Sequence, residues 1–175
     1  GSVCPGFLET AQLLRGFVEA FTDVAGNRPL AEALYDKILE HKIAYWEEAL
    51  KRVGDVVDIV REGDDYGGQH DVLISPTQFR ELIKPRLTRL IGHMKSLAPH
   101  APVFFHSCGS IRKLIPDLIE AGVDILNPIQ MAAADMDTRD LNAQFGNDLT
   151  FWGGGADTQH VLPNGTPQEV RDEAR

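Results

Sequence analysis

The sequence predicts an α/β fold of parallel strands, specifically the middle-to-late part of a (β/α)8 barrel. Short apolar runs alternate regularly with amphipathic helical segments. Polar or glycine-rich residues follow each apolar run, as they do at the carboxyl ends of barrel strands. A complete barrel needs eight strands and about 250 residues, whereas this chain has 175 residues and shows four clear strand patterns. We therefore expect residues 3–175 to be a fragment of a single barrel domain, and residues 1–2 (Gly-Ser) to be a cloning scar.

Composition narrows the class of protein. The formal net charge is -9, which argues against nucleic acid as a partner. No apolar run approaches the roughly 20 residues of a membrane span, and no signal peptide precedes the first helix. The two cysteines, Cys4 and Cys108, are far apart and do not suggest a disulfide framework. These features predict a cytoplasmic protein with neither nucleic-acid nor membrane partners.

The first third of the chain predicts helices followed by a strand. The segment Cys4-Pro5-Gly6-Phe7 enters a helix without a preceding strand. A long helix is predicted over residues 28–52, because Asn27 can cap it and Pro29 suits its first turn. The segment over residues 56–60, apolar except for Asp58, then predicts a short buried strand.

The next unit is a helix and a strand. Ser75-Pro76 begins a long apolar stripe that extends to Met94, and Pro85 is expected to bend this helix or to force a local irregularity in it. The apolar residues 103–105 predict the second strand.

Two further units complete the pattern. Ser110 is expected to cap a helix that Pro116 interrupts and Gly122 ends, before a strand over residues 124–126. A short helix near residues 138–145 leads to a fourth strand.

That fourth strand is predicted over residues 149–152. A capping box with proline at the first helical position then opens a last helix at Thr166-Pro167-Gln168-Glu169.

The strongest chemical signal is the tetrapeptide His106-Ser107-Cys108-Gly109, directly after the second strand. Imidazole and thiolate ligands favour zinc over magnesium or calcium. On spacing alone, the same pair is also compatible with barrel lining or a buried free thiol. If His106 binds metal through one nitrogen, its other nitrogen needs an acceptor; Glu62 or Asp64 is the expected one.

Polar residues at the other strand ends are candidates for catalysis and substrate binding. Glu62 and Asp64 follow the first strand and are predicted to be catalytic, either as metal ligands or in proton transfer; a solvated acidic turn is the alternative. Asp65 is assigned to a turn or cap. Asn127 and Gln130 are predicted to bind substrate, although they equally suit the turn around Pro128.

These motifs together resemble the uroporphyrinogen decarboxylase superfamily, and within it the corrinoid-linked methyltransferase branch. The resemblance covers nearly the whole chain. Its main stretches are residues 62–65, 73–76, 84–85, 102–110, 115–128 and 151–155.

The resemblance favours methyl transfer over decarboxylation. True decarboxylases have a glycine-rich segment where this chain has His106-x-Cys108. They also have a Gly-Asn-Leu-Asp-Pro-like turn where this chain has Gly-Gly-Gly-Ala-Asp-Thr; Asp157 matches its aspartate by position and is predicted to bind substrate. His-x-Cys-Gly is similar to the zinc site of the methyltransferase branch, in which a cysteine on the last barrel strand is a third ligand. That ligand is expected beyond Arg175.

The resemblance therefore implies a zinc-dependent methyltransferase that moves a methyl group between a small substrate, such as a methyl ether or thiol, and a corrinoid on a partner protein. Uroporphyrinogen decarboxylation is one alternative. An inactive fragment, or a non-catalytic relative that binds a corrinoid or a partner, is another. A half-barrel exposes sheet edges, so we also expect self-association.

Overall fold

The computed structural model describes residues 5–173, so residues 1–4, including the predicted cloning scar and Cys4, and residues 174–175 lie outside the described residues. Four strands form one sheet in the order β1-β2-β3-β4, and every neighbouring pair is parallel. Buried strand residues join the helices in one hydrophobic core. Sequential parallel strands separated by helices are the arrangement of consecutive barrel units, which confirms the predicted fold class. The strands are β1 (Val60–Gly63), β2 (Val103–His106), β3 (Ile125–Asn127) and β4 (Thr150–Phe151).

Helices precede and follow each strand in this part of the chain. None of those described is both long and apolar enough to cross a membrane. Short 3-10 turns cover Gly54–Val56 and Arg112–Leu114, and a π-helical turn covers Phe79–Ile83. The α-helices are α1 (Phe7–Arg15), α2 (Phe17–Gly26), α3 (Arg28–Val53), α4 (Pro76–Gln78), α5 (Lys84–Leu97), α6 (Ile115–Ala121), α7 (Thr138–Phe145), α8 (Val161–Asn164) and α9 (Pro167–Glu173).

The register of the sheet decides which strand residues share a face. Glu62 pairs with Phe105, and Gly63 pairs with His106. His106 in turn pairs with Asn127. Because side chains alternate between the two faces of a strand, His106 and Asn127 lie side by side on one face. Glu62 and Phe105 belong to the opposite face, and both are buried.

The first strand lies later in the chain than its apolar run predicts. Val56 is 78% exposed and belongs to a 3-10 turn. The ladder begins where the Val60 amide donates to the Pro102 carbonyl oxygen at 3.1 Å. The prediction of a strand over residues 56–60 was therefore wrong. The first residue of a strand depends on where its partner strand supplies hydrogen-bond acceptors, which the local sequence does not show. As a result Glu62 lies inside β1 rather than after it.

Two prolines are accommodated without breaking their helices. Pro85 follows the π-helical turn Phe79–Ile83, whose wider spacing tolerates a residue with no N–H group. Pro116 lies in the first turn of α6, where no N–H partner is required, so it begins the helix and does not interrupt it. Gly122 ends α6 with φ of 101°, as predicted.

Substituting Gly109 by alanine should destabilise the protein by at least about 1–2 kcal/mol. Gly109 has φ of +82°, and an added Cβ would lie 2.4 Å from the backbone of Gly67. Gly92 is the matched control, because an added Cβ there meets nothing within 4 Å. Within helix α5, Gly92→Ala should stabilise by about 0.5–1 kcal/mol. Urea denaturation of both variants measures the difference; equal effects would contradict the close approach at Gly109.

Candidate metal centre

Three side chains with metal-ligating atoms converge at the carboxyl end of the sheet. They are Asp65 after β1, His106 at the end of β2, and Cys108 in the following loop. One ligand atom from each lies within 4.8 Å of the others. The His106 Nε2 atom is 3.4 Å from Cys108 Sγ and 3.7 Å from Asp65 Oδ1. Nitrogen, sulfur and oxygen donors therefore face one point.

Backbone hydrogen bonds hold the loop that carries Cys108. The Cys108 amide donates to Asp65 Oδ1 at 2.8 Å. The next amide, that of Gly109, donates to Gln130 Oε1 at 3.1 Å. On the other side of the cysteine, Ser107 Oγ accepts from the Tyr66 amide at 3.1 Å. The loop is thus tied to the segments after β1 and β3, so the cysteine is fixed relative to the histidine.

His106 has a hydrogen-bond partner on its second ring nitrogen. Its Nδ1 lies 2.7 Å from Asn127 Oδ1. The expected acceptor was Glu62 or Asp64, and this expectation was wrong. Register explains the difference, since Asn127 is the cross-strand neighbour of His106, whereas Glu62 points to the other face of the sheet.

The Cys108 thiol is protonated at neutral pH in the absence of a cation. Partial burial and the neighbouring Asp65 carboxylate raise its pKa to about 11. A bound cation would instead favour the thiolate form of Cys108, because a thiol that coordinates a metal loses its proton. The site therefore suits a cation that is able to bind a thiolate.

Glu62 lies between the sheet and helix α3, away from the three converging side chains. Its carboxylate accepts a hydrogen bond from Lys42 Nζ at 2.7 Å and another from Trp46 Nε1. Both side chains of the ion pair are at most 3% exposed. Burial raises the pKa of Glu62 even with Lys42 opposite. The structure thus gives Glu62 a place in the helix–sheet interface; a catalytic role stays a prediction.

Asp64 also faces the helices. Its carboxylate accepts from the Leu8 amide at 2.7 Å and from the Glu9 amide at 2.9 Å. These are first-turn amides of α1, which have no partner within the helix. Asp64 therefore anchors the start of α1 against the end of β1, and it does not join Asp65 at the candidate metal centre.

Asp64 should make stability fall as pH rises from about 4 to 7. Burial raises its pKa from 3.8 to about 7, although the Leu8 and Glu9 amides oppose this. The folded state then holds a proton that the unfolded chain releases, with a slope of up to about 1.4 kcal/mol per pH unit. In chelator-treated protein, the stability of Asp64→Asn relative to wild type should therefore increase as pH rises from about 4 to 7. Above about pH 7 this difference should stay constant.

The control is Asp137→Asn, for which the pH dependence of stability relative to wild type should have the opposite sign. Asp137 caps α7, and the amides of Asp140 and Arg139 lower its pKa. Wild type should therefore lose stability relative to this variant as pH falls. Denaturant melts at each pH measure both; parallel pH profiles for wild type and Asp64→Asn would contradict the burial argument.

The remaining predicted site residues occupy different surroundings. Gln130 accepts from Gly109, as described, and its Nε2 donates to Gln69 Oε1 at 3.0 Å. Asp157 accepts from the amides of Gln159 at 2.7 Å and His160 at 2.9 Å. Gln130 is thus next to the candidate metal centre and Asp157 is bonded within its own turn. Substrate binding by either remains a prediction.

Asp65 is the residue that sequence reasoning left out of the site. Its carboxylate does accept from a backbone amide, as a turn residue would, but it also faces His106 and Cys108. The signal was present in the acidic run after β1. Side chains alternate between the two faces of a strand. Gly63 pairs with His106, so Asp65, two residues after Gly63, lies on the same face as His106, whereas Asp64 does not.

The donor set fits a zinc ion. Zinc accepts imidazole, thiolate and carboxylate ligands and, in catalytic sites, keeps one position open. A calcium or magnesium site would instead need mainly oxygen ligands. Within the described residues, His106, Cys108 and Asp65 therefore supply three donor groups that a zinc ion accepts.

Comparison with known proteins gives a family match and a distant methyltransferase relative. The sequence model described as uroporphyrinogen decarboxylase (URO-D) matches residues 7–175. A methylated-thiol–coenzyme M methyltransferase of Methanosarcina mazei is 29% identical over 106 residues. The aligned region covers 59% of this chain and 25% of that relative. No solved structure matches significantly.

Proposed function

Because the chain belongs to the uroporphyrinogen decarboxylase (URO-D) family, we propose that it acts in zinc-dependent methyl transfer between a small substrate and a corrinoid. The observation that carries this proposal is the convergence of Asp65, His106 and Cys108 within 4.8 Å. The similarity to a methyltransferase that acts on methylated thiols and coenzyme M supports the same reaction class. The corrinoid, bound to a partner protein, is part of the proposal.

The chain's own residues would hold and orient the metal. His106 binds through Nε2, Cys108 through Sγ and Asp65 through a carboxylate oxygen. When bound, zinc either lowers the pKa of a substrate thiol or acts as a Lewis acid on a substrate oxygen. A further cysteine ligand beyond Arg175 stays a prediction.

Asp65 would have a second task while the substrate is bound. Its Oδ1 accepts from the Cys108 amide at 2.8 Å, which fixes the distance between the carboxylate and the thiolate. A carboxylate held beside the open position is able to accept the proton that a substrate thiol releases. If the resulting thiolate took a methyl group from a methylated corrinoid, the new carbon–sulfur bond would replace the bond from the methyl group to the corrinoid, which would keep the electron pair of that bond.

Decarboxylation of uroporphyrinogen is the second candidate, because it is the reaction for which the matching family model is named. The candidate metal centre argues against decarboxylation, because that reaction gives no role to the zinc ligands that converge here. Porphyrinogen turnover by the purified protein, tested in parallel, decides between the two.

The experiment is methyl transfer from methylcobalamin to a thiol such as coenzyme M, followed by the absorbance of the cobalamin product. We expect one zinc per chain, transfer that stops when zinc is chelated, and recovery when zinc is restored. Cys108→Ser should be inactive under the same conditions. Zinc-loaded protein without transfer, or transfer unaffected by chelation, would reject the proposal; a protein that does neither reaction would instead be the inactive fragment or the non-catalytic relative.

A further inference from the structure

We infer that Asn127 is a positioning residue that holds His106 in the tautomer with the proton on Nδ1, so that the unprotonated Nε2 faces Asp65 and Cys108. This inference rests on the proposed function for its purpose, although the tautomer itself is measurable without metal. It gives Asn127 a different task from the substrate binding predicted from sequence.

The direction of the Asn127 side-chain amide is determined by the residue that directly follows β4, Trp152. Its Nδ2 atom donates to the backbone carbonyl oxygen of Trp152 at 2.8 Å. A carbonyl oxygen only accepts hydrogen bonds, so the amide nitrogen must face Trp152. The Oδ1 atom must then face His106, at 2.7 Å from Nδ1.

The backbone on both sides of Asn127 is fixed by the sheet. Its carbonyl oxygen accepts from the Ser107 amide at 2.8 Å, and the Trp152 amide donates to Leu126 at 2.9 Å. Asn127 therefore sits in a continuous ladder from β2 to β4. An amide flip would place its oxygen against the Trp152 carbonyl oxygen, and the hydrogen bond to Trp152 would be lost.

The consequence for His106 follows from donor and acceptor roles. Since Oδ1 accepts, His106 Nδ1 must carry the hydrogen. Nε2 then has its lone pair in the plane of the ring, directed toward Cys108 Sγ at 3.4 Å. In the other tautomer, the Nδ1 lone pair would oppose the lone pairs of Asn127 Oδ1. The hydrogen bond to the non-ligating nitrogen is the usual way in which proteins orient a metal-binding histidine.

Both polar atoms of the Asn127 amide are hydrogen-bonded within the protein, which favours positioning over substrate recognition. A substrate-binding amide would keep at least one of them toward the open side of the site. Gln130 offers a matched comparison: it is on the same strand-end loop and also contacts the His-Ser-Cys-Gly segment, through Gly109, but it does not contact His106.

The test is NMR of the metal-free protein labelled with 15N in histidine, in which two-bond correlations distinguish the tautomers. Wild type should show His106 with Nδ1–H. Asn127→Leu should populate the Nε2–H form and weaken zinc binding by about 10–100-fold, measured by chelator competition. Asn127→Asp keeps the acceptor and should retain the wild-type tautomer. Gln130→Leu, the control, should leave the tautomer unchanged.

An Nε2–H tautomer in wild type would overturn the inference, whatever the stability of the variants. An Asn127→Leu protein with wild-type tautomer and zinc affinity would do so as well. These outcomes are separate from those of the methyl-transfer assay: a protein with the expected tautomer but without methyl transfer rejects the proposed function and leaves the assignment of Asn127 intact.

Discussion

Replacing Cys108 by serine is expected to weaken zinc binding by more than about 100-fold, because loss of a supporting hydrogen bond alone costs 10–100-fold. A serine hydroxyl stays protonated near neutral pH and is a poor ligand for zinc. The thiolate is the softest of the three donors that converge here, so its loss removes the preference for zinc as well as affinity.

Chelator competition and metal content after dialysis measure this effect. Cys4→Ser is the control, because it removes the other thiol of the sequence and should leave zinc binding unchanged. Far-UV circular dichroism of both variants checks that the fold is retained. Equal zinc affinity for Cys108→Ser and wild type would show that His106 and Asp65 do not share a metal with this cysteine.

Glu62→Leu is expected to destabilise the protein by about 3–5 kcal/mol, the cost of removing one member of a buried ion pair. Lys42 and Glu62 are 3% and 2% exposed, and their charged atoms are 2.7 Å apart. The Trp46 indole N–H would lose its acceptor as well. This loss of stability should arise at the helix–sheet interface and not at the candidate metal centre.

The double variant Lys42→Met/Glu62→Leu separates charge from packing. Replacing both members of a buried pair by apolar residues is often nearly neutral, so the double variant should recover much of the lost stability. Glu40→Gln is the surface control, since its pair with Lys37 is 64–65% exposed and surface pairs contribute little. Denaturant midpoints compare the three; a Glu62→Leu midpoint equal to wild type would contradict the buried-pair argument.

Much of the fold was predictable because its signals are local. Alternating apolar runs and helical stripes predicted the parallel α/β class, and glycine at position 122 predicted the end of α6. His106 and Cys108 were placed at a strand end from neighbouring residues alone. The prediction of the first strand was less accurate, because four of the five residues 56–60 are apolar but the strand pairing starts only at Val60, where the Pro102 carbonyl oxygen supplies an acceptor.

The arrangement of the acidic residues depended on the tertiary structure. From the sequence by itself, Glu62, Asp64 and Asp65 all followed the predicted end of the first strand within five residues. Pairing of Gly63 with His106, more than 40 positions later, directs Asp65 toward the candidate metal centre and leaves the other two carboxylates against helices α1 and α3. The same pairing across β3 brings Asn127 to His106. A shift of one residue along a strand exchanges its two faces, so the sequence determined which chemical groups are available at the strand ends, and the strand register decided which of them meet.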